Sequence, residues 1–263
     1  MLVSSPPQHI YAKCNDGFCN QFRMLLAGEF LVQEKLIQSY TQEWTITNHN
    51  NVNFLDFFEH PEHVQLKSIP QTKVNWSDGS FVGMTSKYIE KNGKKWPTNL
   101  KKIFKTLKLK VSIQQIINKH LQDINVHNLL GVHIRRTCKL GVNKLFDRTS
   151  VLLTNQQYLD ILQDYNLYVY IATDNNETQT YFKNKLKERC KIYKEILRGA
   201  EGFCGIDYNR KNVLRFTDSL HTIIDFYTLL NCKRFIGTES SSFSALIYHL
   251  RGNKNDFALL NNV

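Results

Sequence analysis

A chain of 263 residues with 42% hydrophobic and 12% aromatic content carries enough apolar material for one large domain or two modest ones, and is too apolar for a disordered chain. Its net charge of +11 favours anionic partners, whether nucleic acid, an acidic membrane surface or a phosphorylated small molecule, without choosing among them. No segment reaches the roughly 18 apolar residues of a membrane-spanning helix, and the start MLVSSPPQHIYAKC lacks the basic and apolar regions of a signal peptide, so the expectation is a cytoplasmic protein or a soluble piece cut from something anchored.

From the amino terminus, His9–Lys13 reads as a strand, Cys14 to Gln21 (CNDGFCNQ) as a turn-rich loop with Asp16-Gly17 at its sharpest point, and the following FRMLLAGEFLVQEKLI as a helix by its apolar period. Strand, glycine turn and helix is how an α/β domain presents a helix N-terminus to an anion. Short strands are expected around Trp44–Thr47 and Val64–Ile69. Between them, Asp56 to His63 (DFFEHPEH) groups Glu59, His60, Glu62 and His63, a set that suits either a metal or a polar turn after an aromatic anchor; Pro61 breaks the helix that a metal-ligand pair would use. Thr98–Lys110 is a basic amphipathic helix, with Leu100, Ile103, Phe104 and Leu107 in one stripe and Lys101, Lys102, Lys105 and Lys108 on the other faces. Such a face suits a membrane or nucleic-acid surface, or plain solvent over a core.

Regular alternation follows. Val111–Val126 reads as a helix, Leu129–Arg136 as a strand, Thr154–Asn166 as a helix capped by Thr154, Leu167–Ala172 as a strand, Glu177–Cys190 as a helix and Lys191–Leu197 as a strand. Thr217–Cys232 is a helix with Asp218 in its first turn, Arg234–Gly237 a strand, and Phe243–Arg251 a helix. Repeated βα winding implies a mostly parallel sheet with right-handed crossovers.

Three strand ends then carry polar chemistry: Arg135 and Arg136, Thr173 and Asp174, and Thr238 through Ser242. Ligands of open α/β sheets bind at the carboxyl ends of strands, and a guanidinium grips phosphate oxygens with two parallel bonds. Hydroxyls and free N–H groups at a helix start make a phosphate cradle, although the serines would serve equally as caps. Six cysteines, Cys14, Cys19, Cys138, Cys190, Cys204 and Cys232, form no CxxC pair and no zinc spacing, and read as reduced thiols. Beside Arg136 and Lys139, Cys138 is either a reactive thiolate or packing filler.

His133 to Gly141, HIRRTCKLG, resembles the HxRRTDK-G signature of the fucosyltransferase superfamily that spans the core α1,6-, α1,2- and protein O-fucosyltransferases. YIATDN (Tyr170–Asn175), Asp225 with Leu229, FIGTESSSF (Phe235–Phe243), and the early loop DGFCNQ (Asp16 to Gln21) resemble further elements of that family in the expected order; residues 41–125 match nothing in it. The resemblance implies a GT-B-like α/β enzyme of two facing Rossmann-like domains with mostly parallel sheets, residues 1–125 on the acceptor side and 126–263 holding the nucleotide sugar. It implies inverting, metal-independent transfer of fucose from GDP-fucose to a glycan or protein hydroxyl, with no cofactor. Arg135 would stabilise the leaving diphosphate with Lys139 and Arg136 beside it. His133 and Asp225 would hold guanine and ribose, Asp174, Thr238, Ser240, Ser241, Ser242 and Phe243 would complete the nucleotide site, and Gly17, Phe18 and Asn20 would reach the donor from the other domain.

Two positions depart from the family pattern. Cys138 stands where the signature has Asp, and Asn143 where the core α1,6 enzymes carry a glutamate. The base is thereby left open; Asp16 is the candidate, because some protein O-fucosyltransferases resemble this chain in placing a carboxylate just before Gly-Phe in the first loop, a turn-forming Asp-Gly being the alternative, and Glu239 is a weaker one. A transferase for another nucleotide sugar, a catalytically silent nucleotide-sugar-binding protein, and a basic nucleic-acid-binding protein built on Lys87–Lys110 are the competing readings.

Overall fold

The computed structural model describes residues 9–14, 17–46, 52–70, 96–136, 153–196, 218–238 and 241–252. The chain divides into two compact units between Ile113 and Gln114, an earlier point than the boundary after residue 125 read from the sequence.

The first unit holds a parallel sheet of β1 (His9–Cys14), β2 (Ser39–Ile46) and β3 (Val64–Pro70), in that order. Helix α1 (Phe18–Gln33) is buried nearly all round, as suits a helix at the centre of a unit. Gly28 is required by a close approach: a Cβ there would enter the ring of Tyr40 on β2. Phe22 of α1 packs against Phe54, Phe58 and Phe104 at ring distances of 5.5–6.0 Å, which joins α2 (Phe54–Phe57) and α3 (Trp96–Phe104) to the same core.

The acidic and histidine-rich DFFEHPEH segment is architecture. Phe57 and Phe58 are buried, and Phe58 bridges Leu109 in antiparallel fashion. The buried Glu29 carboxylate accepts from the backbone N–H groups of His63 and Val64, each at 3.0 Å, fixing the start of β3 against α1. Among the described residues no group of three or more His, Cys, Asp or Glu side chains is placed to hold a metal ion. The basic helix is shorter than its stripe suggested, because the chain after Phe104 turns away to make the Leu109 bridge. Its lysines are exposed while Leu100 and Ile103 are buried, the pattern of a solvated face over a core.

In the second unit α4 (Val111–Asp123) precedes four parallel strands: β4 (Leu129–Ile134), β5 (Tyr168–Thr173), β6 (Cys190–Lys191) and β7 (Arg234–Ile236). Their spatial order is β6-β5-β4-β7. Helices α5 (Asn155–Gln163), α6 (Asn176–Leu186), α7 (Ser219–Asn231) and α8 (Ser242–Arg251) alternate with them. Period-two alternation along the strands sorts the helices by face. Leu130, Val132 and Ile134 of β4 join Val169 and Ile171 of β5 in a core with Tyr158 and Leu162 of α5 and Phe182 of α6. On the opposite face a Cβ on Gly131 would meet Leu229 and Cys232 at the end of α7.

Thr154 caps α5 with a full capping box and Asp218 caps α7; Asp218 thus sits before the first turn rather than in it. The strand expected over Lys191–Leu197 stops at Lys191. Beyond it the carboxamide of Gln179 on α6 bonds the carbonyl of Lys194 (3.1 Å) and the N–H of Ile196 (2.9 Å), so a side chain supplies what a ladder would. Among the described residues no helix is long and apolar enough to cross a membrane.

Candidate functional site

From β4 the chain winds through β5 and β6 to one side, then returns to lay β7 on the other. The order reverses between β4 and β7, and open α/β sheets bind ligands in the crevice outside the strand ends at such a reversal. His133, Arg135, Thr238 and the start of α8 all lie at these two ends.

The β4/β5 register pairs His133 with Ala172 and Ile134 with Thr173, so the next step sets Arg135 beside Asp174. Arg135 Nη1 lies 2.6 Å from Asp174 Oδ2, with both side chains about 15% exposed. Asp174 Oδ1 also accepts from the backbone N–H of Arg136 at 2.8 Å. One carboxylate therefore orients the guanidinium and ties down the loop that carries it, and a fork held this way loses less freedom on gripping a phosphate.

Thr238 is the hub between the two strands. Its hydroxyl donates to the carbonyl of His133 (2.9 Å) and accepts from the N–H of Arg135 (2.9 Å), and Tyr158 Oη lies 3.1 Å away. Its own N–H donates to Ser244 Oγ (2.9 Å), which lies 2.7 Å from His133 Nδ1. The His133 ring packs on Phe243 at 4.7 Å. Burial, helped by the neighbouring Arg135 charge and opposed by Asp174, pushes the His133 imidazole down to about 3. At neutral pH it is uncharged, a hydrogen-bonding ring beside a cation.

Ser241 is the N-cap of α8 and makes no side-chain cap bond. The first-turn N–H groups, including those of Ser242 and Phe243, thus receive no capping oxygen from Ser241. A fixed guanidinium, a neutral imidazole packed on an aromatic ring, and a helix start at the same strand ends together suit an anionic ligand with a flat, polar-edged appendage.

The structure separates the two arginines. Ile134 points into the α5/α6 core and His133 towards α8, and the alternation continues: Arg135 falls on the α8 side and Arg136 on the other. Arg136 is buried, donates to the Leu153 carbonyl and to Asn155 Oδ1, each at 2.6 Å, and lies over the Tyr158 ring. It anchors the start of α5, on the face opposite Arg135. Asp225 is also drawn elsewhere. Its carboxylate accepts from Tyr170 Oη at 2.6 Å and lies 3.4 Å from His221 Nε2, with His221 and Asp225 both buried. Burial pushes this carboxyl up to about 6, against the pull of His221 and the Tyr170 bond. Asp225 thus belongs to a Tyr170–Asp225–His221 network, whereas His133 is joined to Ser244.

In the first unit Gly17 is the N-cap of α1, with Phe18 buried against Phe22 and Trp44 and Asn20 half-buried in the first turn. Asp16, Cys138, Lys139, Asn143, Glu239 and Ser240 lie outside the described residues. Sequence reasoning passed over Tyr158, Ser244 and His221, and gave Tyr170 no role beyond opening the YIATDN motif. The only signals for them were the continuation of the serine run to Ser244 and the four-residue spacing of His221 from Asp225.

No protein-family model matches the chain, and no curated protein matches it in sequence. Solved structures do match in fold. The NodZ α-1,6-fucosyltransferase soaked with GDP-fucose, an enzyme known from Bradyrhizobium, superposes with a TM-score of 0.57 at 15% identity, covering 93% of this chain and 92% of that one. POFUT1 in complex with GDP superposes with a TM-score of 0.54 at 12% identity, covering 97% of each chain, and its complex with GDP-fucose with 0.51 at 12%, covering 96% and 97%. The chain thus has the mixed α/β fold with parallel sheets that these fucosyltransferases share, along nearly its whole length.

Proposed function

We propose that the chain is a glycosyltransferase that takes a GDP-sugar as donor, with fucose the sugar best supported. The observation that carries this reading is Arg135, held by Asp174 and by the Thr238 hydroxyl at the reversal point of the sheet. The match to enzymes solved with GDP or GDP-fucose supports the choice of nucleotide.

In this reading the diphosphate lies against the Arg135 guanidinium and the N–H groups at the start of α8, with His133 and Phe243 beside the nucleoside. The transfer is a single inverting displacement. The acceptor oxygen attacks the anomeric carbon, the bond from that carbon to the β-phosphate oxygen breaks with its electron pair, and the acceptor proton passes to a base, for which Asp16 is the candidate. Negative charge grows on the departing GDP, so a cation fixed in advance stabilises the transition state more than the ground state. With Arg135, the neighbouring Lys139 and helix N–H groups supplying that charge, the proposal needs neither a metal nor a resident cofactor.

Calorimetric titration with GDP, UDP and dTDP, with and without EDTA, tests it. GDP is expected to bind alone of the three, unaffected by EDTA, and Arg135→Ala to weaken it about a hundredfold, the loss of a doubly hydrogen-bonded charge. Selective binding of UDP or dTDP would remove fucose from the reading; binding of none would remove the donor site. Asp16→Ala is expected to abolish transfer while leaving GDP affinity intact, and turnover like the wild type in that variant would remove Asp16 from the mechanism.

A further inference from the structure

From Phe18 to Leu31 every residue of α1 is buried except Asn20 and Arg23. Three positions apart, they are neighbours on one helical face. Between Phe18 and Leu31 the covering of the helix therefore opens in its first two turns, and the guanidinium of Arg23 lies there.

The other arginines of the described segments all have partners. Arg136 holds the start of α5. Arg189 donates to the carbonyls of Tyr165 and Leu167 after α5, and Arg251 to those of Leu229, Leu230 and Cys232 at the end of α7. Arg234 lies over the Tyr165 ring, and Arg135 is paired with Asp174. Arg23 differs. Among the described residues it makes no hydrogen bond and no ion pair; burial lowers its pKa from the ordinary arginine value, and the one group acting on it electrostatically is Cys19, a turn before.

A half-buried guanidinium with its donors unspent costs the folded chain stability, and nothing in the described part of the fold offsets that cost. The surroundings deepen the imbalance. The first turn of α1 contains no acidic residue and Gly17 provides no capping side chain, so among the described residues no carboxylate of that turn offsets the positive end of the helix dipole beside the Arg23 charge. The other five thus come with carbonyls, carboxylates or rings in place, the binding cation Arg135 among them. Arg23, half-buried near the start of a buried helix and without such a partner among the described residues, is open to a ligand from outside the fold.

We propose that Arg23 binds an oxyanion of a substrate, its fork gripping two oxygens of a phosphate or carboxylate. The inference goes beyond the donor site of the second unit and stands without it. The anion has two chemically equivalent sources, the diphosphate of a nucleotide sugar or an acidic group on the acceptor, and the probes separate them.

The full-length chain and its Arg23→Met variant, which keeps the apolar stem and removes the charge, are titrated calorimetrically with inorganic diphosphate, GDP and glucuronate. Their thermal unfolding is recorded alongside. Arg23→Met is expected to weaken binding of at least one probe about tenfold or more while melting at the same or a higher temperature, since an uncompensated charge has gone. Arg23→Lys should recover only part of the affinity, because an ammonium is a point charge. Loss confined to diphosphate and GDP assigns the anion to the donor, and loss confined to glucuronate to the acceptor. Wild-type affinity of Arg23→Met for all three probes, or no binding of any probe to the wild type, would overturn the proposal. So would a lowered melting temperature with unchanged binding, the mark of a structural arginine. If Arg23→Met loses anion binding while Arg135→Ala binds GDP like the wild type, the donor-site reading fails and this one stands.

Discussion

Replacing Thr238 by valine removes one hydroxyl and almost no volume, and that hydroxyl joins β4 to β7 where the candidate site is built. It donates to the His133 carbonyl and accepts from the Arg135 N–H, both at 2.9 Å, in a residue 3% exposed. Valine would leave a carbonyl and an N–H in the interior without a partner, each costing about 1–3 kcal/mol when orphaned. With partial relaxation the sum is about 2–4 kcal/mol, which for a chain of this size lowers the melting temperature by roughly 5–15 °C. The consequence for binding is separate. The Arg135 guanidinium extends from the backbone that this hydroxyl holds, so GDP affinity is expected to fall about tenfold. Calorimetric melting and titration of Thr238→Val read the two effects, and Thr238→Ser, which keeps the hydroxyl, should restore most of both. A Thr238→Val protein melting within about 1 °C of wild type, well inside the cost of a single orphaned group, would refute the claim that this residue holds the site together.

Arg136→Met should destabilise the chain by about 2–4 kcal/mol, since it strips the Leu153 carbonyl and Asn155 of their 2.6 Å partner, yet leave GDP affinity within about twofold, the reverse of Arg135→Ala; comparable affinity losses in the two variants would show that both guanidiniums reach the anion. Gly28→Ala places a methyl against the Tyr40 ring and should cost about 1–3 kcal/mol in urea denaturation, whereas wild-type stability would mean that the helix and strand separate without cost. Asp225 sets a pH dependence. Its carboxyl titrates at about 6 in the fold against an ordinary value of 3.8, so the folded chain keeps a proton that the unfolded chain gives up. Its contribution is fully present below pH 3.8 and is lost, by about 3 kcal/mol, as pH rises through 6. Asp225→Asn, whose carboxamide oxygen still accepts from Tyr170, should remove that slope from the urea stability measured between pH 4 and 7; an unchanged profile would place the carboxylate in contact with water.

The winding of the second unit was legible because each strand is a short apolar run closed by a polar end, and each helix opens on a capping residue such as Thr154 or Asp218. In a parallel sheet the carboxyl ends of neighbouring strands meet whatever the intervening chain does, so Arg135, Asp174 and Thr238 could be gathered from their places after three strands. The short β6 was overextended because a carboxamide on α6 takes over its ladder bonds, and nothing local to residues 192–196 announces a partner more than ten positions back. The isolation of Arg23 was equally hidden: a lone arginine in an amphipathic pattern looks solvated until elements distant in sequence close around the helix.

The two arginines are a different case, because the information was present. A strand alternates its side chains with period two, and Leu130, Val132 and Ile134 against Gly131 and His133 already mark the two faces of β4. Carried two residues past the strand, the same alternation assigns Arg135 to the face of His133 and Arg136 to the face of the buried leucine and valine. Treating Arg-Arg as a unit discards that parity. Adjacent residues at the end of an extended segment face apart by about 180°, so they converge on one ligand only if the chain bends between them. Here the Arg136 N–H is held by Asp174 and the Arg135 N–H by Thr238, and the guanidiniums part: one meets Asp174, the other the Leu153 carbonyl and Asn155. An arginine pair after a strand is therefore read one residue at a time, and the face of the preceding residues says which side of the sheet each guanidinium serves.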